Sequence, residues 1–159
     1  MGDNKRGARD DPGVVAPPPL IYACALTAGL LANRRYRIPF LPRALAGTLG
    51  PALVACGLAV GILGFREMRR AETSPDPYKP TTAIVSEGPF RFTRNPLYLS
   101  MTLIYCGIST LSNALPAALL LPFAQAVMRR GVIESEEHYL ERTFGDEYLE
   151  YKERVPRWI

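Results

Sequence analysis

The separation of charged from apolar residues constrains this chain more than any other feature. The run Ala44–Phe65 contains no charged side chain, and it is long enough to cross the ~30 Å hydrocarbon core of a bilayer. A helix of a soluble four-helix bundle would need a polar face, which this run lacks. The sequence therefore predicts an integral membrane protein.

Four apolar segments separated by charged blocks predict the fold. In chain order they are Val14–Ala32, Ala44–Phe65, Pro96–Leu111 and Ala114–Val127. The last two are short, and the turn sequence SNALP separates them, so we expect a helical hairpin that enters the bilayer and returns. The predicted fold is all-α: an integral membrane bundle of about four transmembrane helices, with a C-terminal helix at the membrane interface.

The length of 159 residues suits a single domain. We expect a charged tail over residues 1–13 and one membrane domain over 14–159, with its characteristic motifs in 77–158. No cleavage site follows the first apolar segment, which is therefore expected to remain as an anchor. The cysteines lack the spacing of a zinc site or a disulfide framework and are expected to be small buried residues. They are Cys24, Cys56 and Cys106.

Lysine and arginine near the ends of spans predict orientation. With four crossings, both tails and the segment after the second span share one side, which carries most of the basic residues. The loop 33–43 opposes this assignment, because it holds four arginines and no acidic residue. The overall distribution of lysine and arginine favours an inner or plasma membrane protein with its tails and its candidate site on the cytoplasmic side.

The sequence SEGPFRFTRNPLYLSMTL concentrates polar chemistry at the start of an apolar helix. Asn95 followed by Pro96 is typical of a helix start, since Asn can cap free backbone N–H groups and Pro fits the first turn. Arg91 and Arg94 precede that start, and Tyr98 lies within the first turn. A helix N-terminus beside two arginines favours an anion, either a lipid headgroup or the carboxylate of a cofactor or substrate.

A run of acidic residues follows the last apolar segment. Glu134, Glu136 and Glu137 begin the sequence ESEEHYLERTFGDEYLEYKERVPRW, which predicts a helix with one aromatic face. Such a run is commonly a solvated face. His138 within it is a candidate general base, but a lone histidine on a charged helix is more often solvated, which is the expectation here. A hairpin, however, would bring the glutamates close to Arg94, and ionisable groups that converge at a membrane surface are candidates for function.

Together these motifs resemble the isoprenylcysteine carboxyl methyltransferase and phospholipid methyltransferase group of integral membrane enzymes. The resemblance rests on GPFRFTRNPLYLS and, about forty residues later, EEHYLERTFGDEYLEYKERVPR. It covers about half of the chain, from Pro77 to Trp158. It implies a small all-helical membrane fold, S-adenosylmethionine as methyl donor, and a cofactor site at the cytosolic membrane surface.

The resemblance also implies roles for individual residues. The expected cofactor contacts are Phe90, Asn95, Pro96, Leu97, Tyr98, Glu136 and Tyr148. The expected catalytic residues are Arg94, Glu136 and Glu137: the arginine would pair with a carboxylate, and a glutamate would bind the cofactor or act as a general base. The expected partners are the lipid bilayer and a lipophilic small-molecule acceptor, and neither nucleic acid nor a metal is expected.

The chain departs from the prenylcysteine enzymes, and other functions stay open. It has Asn95 where they have histidine, it is shorter, and it lacks their basic residue before the acidic pair, so prenylcysteine is not the expected substrate. A nicotinamide-dependent membrane reductase would show more spans and a longer cofactor-binding tail. A non-catalytic membrane scaffold would leave the paired motifs without a role. The acceptor group is a carboxylate, an amine or a thiol.

Overall fold

The computed structural model describes residues 15–74, 76 and 81–158, and the regular elements within them are all helical. They are α1 Pro18–Tyr36, α2 Arg43–Arg70, α3 Pro96–Leu111, α4 Leu115–Met128, α5 Glu134–Phe144 and α6 Asp146–Arg154. A 3-10 turn, Gly88–Arg91, precedes α3, and a π turn, Arg129–Ile133, joins α4 to α5. The all-α prediction is confirmed for these residues. The predicted tail, residues 1–13, lies outside them.

The four longer helices pack as two pairs. Helix α3 lies along α2, and α4 lies along α1. Where the pairs meet, the rings of Tyr22 and Tyr105 make an edge-to-face contact at 6.2 Å between centroids. The Tyr105 hydroxyl donates a hydrogen bond to the Ala117 carbonyl at 2.7 Å. The predicted hairpin of α3 and α4 is thus present, and each of its arms is supported by a different earlier helix.

Small residues let α2 and α3 approach to backbone contact. Gly50, Gly57 and Gly64 are buried on α2, and their seven-residue spacing places them on one face. A Cβ atom on Gly57 would lie 2.9 Å from the backbone oxygen of Ser100, closer than packing allows. The Ser100 hydroxyl donates to the Gly57 carbonyl at 2.7 Å. Such small-residue interfaces are typical of helices packed in lipid, where close van der Waals contact drives association.

Asn113 closes the end of the bundle where α1 meets α2. Its Oδ1 accepts hydrogen bonds from the N–H groups of Phe40 and Leu41 at 2.9 and 3.0 Å, and its Nδ2 donates to the Leu41 carbonyl. The predicted turn between α3 and α4 therefore also fastens the α1–α2 loop. The segments that form the site lie at the opposite end of the bundle, where α2 ends and α3 begins.

Among the described residues, α2 alone is long and apolar enough to cross a membrane. Helices α3 and α4 have 16 and 14 residues, fewer than the ~20 of a typical spanning helix. Four transmembrane helices therefore remain a prediction. Large apolar side chains are exposed on these helices, including Leu58, Ile62, Leu119 and Phe123.

The expectation that all three cysteines are buried is wrong. Cys24 and Cys56 are exposed, and Cys106 is partly exposed. Because the helices pack by single faces, an apolar residue within a helix can lie on the outward face. Position within an apolar segment therefore did not determine burial inside the protein.

The C-terminal region forms two helices where the sequence predicts one. Gly145 has φ +55° and ψ −127°, a backbone conformation that is accessible mainly to glycine, and it separates α5 from α6. The ammonium of Lys152 pairs with the carboxylate of Glu141 across this break. The aromatic face predicted to lie at a membrane instead packs within the protein, because the chain supplies its own apolar partners. Its members are Tyr148, Tyr151 and Val155, which contact Ile84, Leu140 and Phe144.

Candidate active site

A cavity of about 140 Å³ lies at the N-terminal end of α3. The start of α3, α5, α6 and the segment between α2 and α3 form its walls. All nine residues predicted for the site line it: Phe90, Arg94, Asn95, Pro96, Leu97, Tyr98, Glu136, Glu137 and Tyr148. The structure therefore brings these residues together, and their roles stay predictions.

The cavity joins an apolar wall to a small polar end. Met68, Ile84, Leu97 and Leu140 contribute apolar surface. The ionisable side chains come from α5, from Arg94 just before α3, from tyrosines of α3 and α6, and from Asp76 in the segment between α2 and α3. A mainly apolar pocket with a few convergent polar groups is the usual form of a small-molecule site.

Glu137 lies between two arginines from distant parts of the chain. Its carboxylate accepts two hydrogen bonds from Arg157, Nε to Oε1 at 2.9 Å and Nη2 to Oε2 at 2.6 Å. The Nη1 atom of Arg94 lies 3.0 Å from the same Oε1, at ion-pair distance without hydrogen-bond alignment. Only 8% of the Glu137 side chain is exposed, so the two guanidiniums compensate a charge that burial alone would disfavour.

Arg94 retains unused hydrogen-bonding capacity. Its side chain is 10% exposed, and its buried Nε has no hydrogen-bond partner among the described residues. The Tyr148 hydroxyl also lies beside this guanidinium: burial raises the pKa of Tyr148, and Arg94 partly offsets that rise. A buried N–H donor without a partner is costly. Arg94 therefore suits a ligand that brings a hydrogen-bond acceptor, above all a carboxylate.

Glu136 lies beside Glu137 but in a different environment. Its Oε1 accepts a hydrogen bond from the Tyr98 hydroxyl at 2.5 Å. Burial, assisted by the charge of Glu137, raises the pKa of Glu136 to about 7, although the Tyr98 hydrogen bond opposes the rise. The two adjacent glutamates therefore differ in environment: Glu137 is engaged in ion pairs, whereas burial brings the pKa of Glu136 close to neutral pH.

The C-terminal segment fastens the start of α3. The Thr93 hydroxyl and the Asn95 amide both donate to the Arg157 carbonyl, at 2.8 and 3.3 Å, and the Arg94 N–H donates to the Pro156 carbonyl at 3.0 Å. Asn95 does occupy the N-cap position, and Pro96 begins the helix as predicted. The side chain of Asn95 makes no capping hydrogen bond, so the prediction that it caps α3 is wrong. It bonds the C-terminal segment instead.

Tyr151 fixes the 3-10 turn that carries Phe90. Its hydroxyl donates to the Phe90 carbonyl at 2.8 Å, and both side chains are buried. Burial also raises the pKa of Tyr151, so the phenol stays protonated as a donor. Tyr151 of α6 thereby sets the position of Phe90, a predicted cofactor contact that lies 61 residues earlier in the chain.

Two candidates from the sequence lie away from the cavity, and one important residue was missed. Arg91 is exposed and does not line the cavity. The His138 side chain is 77% exposed, as expected for a solvated residue. Arg157 was not singled out, although it is the main partner of Glu137. A basic residue after Val155-Pro156 is a weak signal, because nothing in the sequence shows that the chain turns back there.

Comparison with known proteins links the chain to a family of enzymes. The family described as PEMT, phospholipid methyltransferase, matches residues 45–147, which confirms the resemblance seen in the motifs. A nickel-cobalt-cadmium resistance protein, NccN of Alcaligenes xylosoxydans xylosoxydans, is 33% identical over 79 residues, which are 50% of this chain and 37% of NccN. The cobalt-zinc-cadmium resistance protein CzcN of Cupriavidus metallidurans is 32% identical over 76 residues, 48% of this chain and 35% of CzcN.

A third relative is matched over its whole length. An uncharacterised protein of Haemophilus influenzae is 41% identical over 64 residues, which are 40% of this chain and 100% of the relative. The chain thus spans only about a third of the two resistance proteins. No solved structure matches the chain significantly.

Proposed function

Because this chain belongs to the phospholipid methyltransferase family, we propose that it transfers a methyl group from S-adenosylmethionine to a lipophilic, membrane-accessible acceptor. The observation that carries the proposal is the arrangement of Arg94 in the cavity. One carboxylate, that of Glu137, serves two guanidiniums, and Arg94 Nε remains buried without a partner. The carboxylate of S-adenosylmethionine supplies the acceptor that this donor lacks.

The lining of the cavity suits the rest of the cofactor as well. Phe90, Leu97 and Leu140 offer apolar surface for the adenosine. Glu136, when ionised, offers an acceptor for the ammonium group of the cofactor or for a ribose hydroxyl. The carboxylate and the adenosine of S-adenosylmethionine thus each have residues of matching chemistry in the cavity, and Glu136 matches its ammonium group or a ribose hydroxyl.

S-adenosylmethionine supplies an activated methyl group on a sulfonium, so the chain mainly has to orient the reactants and exclude water. Arg94 holds a carboxylate, and the apolar wall excludes water. Glu136, with a pKa of about 7, accepts a proton at its carboxylate when the acceptor is an amine or a thiol. The Tyr98 hydroxyl donates to Glu136 at 2.5 Å and fixes its direction.

The same proposal places the protein in a membrane, with the cavity at its cytoplasmic face. In support, α2 meets the length and composition of a spanning helix, and α2 and α3 pack through the glycines that lipid-embedded helices favour. Four spans would place the start of α3 and α5 at one surface, where an apolar acceptor can enter from the bilayer. The bilayer and a lipophilic acceptor are accordingly the proposed partners.

The relatives that are named for metal resistance do not change this proposal. Their names refer to nickel, cobalt, zinc and cadmium. Within the described part of this chain, no group of three or more His, Cys, Asp or Glu residues is placed to hold a metal ion. The proposal therefore rests on the family and on the cavity.

Ligand binding by the detergent-solubilised full chain tests the proposal. We expect saturable binding of S-adenosylmethionine and S-adenosylhomocysteine, and none of NADPH. Arg94→Gln should weaken binding of S-adenosylhomocysteine about tenfold or more, because a charge-assisted hydrogen bond is lost. Arg91→Gln is the matched control, since this arginine lies three residues earlier and is exposed.

The outcomes separate the candidate functions. Binding of NADPH alone would favour a reductase, and binding of none of the three ligands would favour a scaffold. Equal loss of binding in the Arg91 and Arg94 variants would contradict the site assignment, because only Arg94 lines the cavity.

A further inference from the structure

We infer that Arg157 is a positioning residue: it acts through Glu137 to hold Arg94 in the orientation that receives the carboxylate of the cofactor. The inference deepens the proposed function and rests on it. It assigns a role in the site to Arg157, the last residue of the second motif, for which the resemblance implied no role.

The Arg157 guanidinium fixes the orientation of the Glu137 carboxylate. Arg157 makes a two-point contact, with Nε on Oε1 and Nη2 on Oε2 at 2.9 and 2.6 Å. Such a planar fork fixes the plane of the carboxylate. Consistently, the hydrogen bonds to Glu137 raise the pKa of Arg157. The carboxylate cannot rotate freely while this contact holds.

The fixed carboxylate of Glu137 in turn holds the Arg94 guanidinium. With the carboxylate fixed, Oε1 lies 3.0 Å from Arg94 Nη1 and holds that side of the guanidinium by ion-pair attraction. The Nε of Arg94 is left buried and without a partner. Glu137 therefore pairs with Arg94 at Nη1 and makes no hydrogen bond with its Nε. The donor that remains is available for a ligand.

Hydrogen bonds to backbone carbonyls also hold the residues around Arg94 against the C-terminal segment. The Arg157 carbonyl accepts hydrogen bonds from Thr93 and Asn95, the two residues on either side of Arg94. The Arg94 N–H itself bonds the Pro156 carbonyl at 3.0 Å. One short segment therefore holds Arg94 through the main chain and through the side chain of Glu137. These backbone bonds do not depend on the guanidinium of Arg157.

Because the backbone hydrogen bonds do not need the Arg157 guanidinium, two roles of this side chain can be distinguished: positioning of Arg94 and simple anchoring of the C-terminal segment. If Arg157 only anchors the segment, its loss should weaken every ligand of the cavity to a similar extent. If it positions Arg94, its loss should weaken only ligands that carry a carboxylate. S-adenosylhomocysteine carries one, whereas 5′-methylthioadenosine has the same adenosine and thioether without the amino acid portion.

The experiment measures dissociation constants of both ligands for the full chain in detergent. For Arg157→Gln we expect about a tenfold weaker affinity for S-adenosylhomocysteine, the size of one impaired charge-assisted contact. The affinity for 5′-methylthioadenosine should change less than about twofold, because this ligand has no carboxylate for Arg94 to bind. Arg157→Lys should recover part of the loss, since it keeps the charge but not the fork.

Arg154→Gln is the matched control, because Arg154 is exposed on α6 and bonds only the Glu150 carbonyl among the described contacts. If Arg157→Gln does not fold, the same comparison is made with Arg157→Lys. Equal weakening of both ligands, or no weakening of either, would overturn the inference. Failure of the wild-type chain to bind S-adenosylhomocysteine would overturn the proposed function itself, which is a distinct result.

Discussion

The α2–α3 interface and the cavity end of the molecule are held together by different forces. At the interface, glycines bring backbone within contact distance of backbone, and Ser100 supplies the hydrogen bond across it. At the cavity end, α5, the residues before α3 and the C-terminal segment are joined by ion pairs and side-chain hydrogen bonds. Close packing of complementary surfaces holds the interface together, whereas interactions between charged groups hold the cavity end together.

Because different forces hold the two regions, each region should tolerate different substitutions. A close-packed interface is insensitive to ionic conditions but responds to the addition of one methyl group. A buried ion-pair cluster tolerates changes of shape at its edge but not the removal of a charge. Mutations in each region can therefore test the comparison.

The largest effect is expected from Glu137→Ala. It leaves the guanidiniums of Arg94 and Arg157 without their shared carboxylate, so we expect the free energy of unfolding to fall by about 3 kcal/mol. Thermal unfolding in detergent measures it. Glu141→Ala is the control on the same helix, because the Glu141–Lys152 pair is more exposed and should contribute about 1 kcal/mol at most. A similar loss in both variants would show that burial does not distinguish the two ion pairs.

A smaller effect is expected at the α2–α3 interface from Gly57→Ala. The added methyl would lie 2.9 Å from the Ser100 carbonyl oxygen, which is backbone and cannot move aside, so we expect a loss of about 2 kcal/mol. Gly47→Ala is the control, since a Cβ atom there meets nothing within 4 Å and alanine favours a helix. The comparison would break if both variants unfolded at the same temperature.

The smallest effect concerns the proton on Glu136. Its pKa is about 7 in the folded chain against an ordinary value of 4.5, so between these pH values the folded state binds more protons than the unfolded state. This stabilising contribution is complete below about pH 4.5 and is lost as the pH rises through about 7. Relative to Glu136→Gln, we expect wild type to lose on the order of 1 kcal/mol across that window, after allowing for partial exposure.

Unfolding temperatures of wild type and Glu136→Gln at several pH values measure this effect. The glutamine still accepts the Tyr98 hydrogen bond, so the difference reports the carboxyl proton. A difference that stays constant with pH would show that Glu136 does not titrate in this range.

The parts of the site that were predicted are those within two short motifs. Arg94 to Tyr98 form one segment at a helix start, and Glu136 and Glu137 lie together after the hairpin, so pairing the helices was enough to bring them together. The prediction did not distinguish the glutamates, because adjacent identical residues carry the same sequence signal. Tyr98 and Arg157 distinguish them in the structure.

Other features were beyond sequence reasoning for identifiable reasons. The inward packing of Tyr148 and Tyr151 depends on a partner surface, Ile84 and Phe90, more than 50 residues away in the chain. A helical aromatic face has the same pattern whether it meets a membrane or a protein surface. Asn95 was misjudged for a similar reason: the competing acceptor, the Arg157 carbonyl, arrives only through the fold.

By itself, the sequence determined that the chain is helical, that charges lie between apolar segments, and that its motifs are those of a methyltransferase family, because periodicity, composition and local motifs are written along the chain. Tertiary structure decided which glutamate is paired with arginine and which keeps a proton near neutral pH. It also decided that Arg94 keeps a free donor. Desolvation and charge pairing act through space, so only the packing of residues that are distant in the chain can set them.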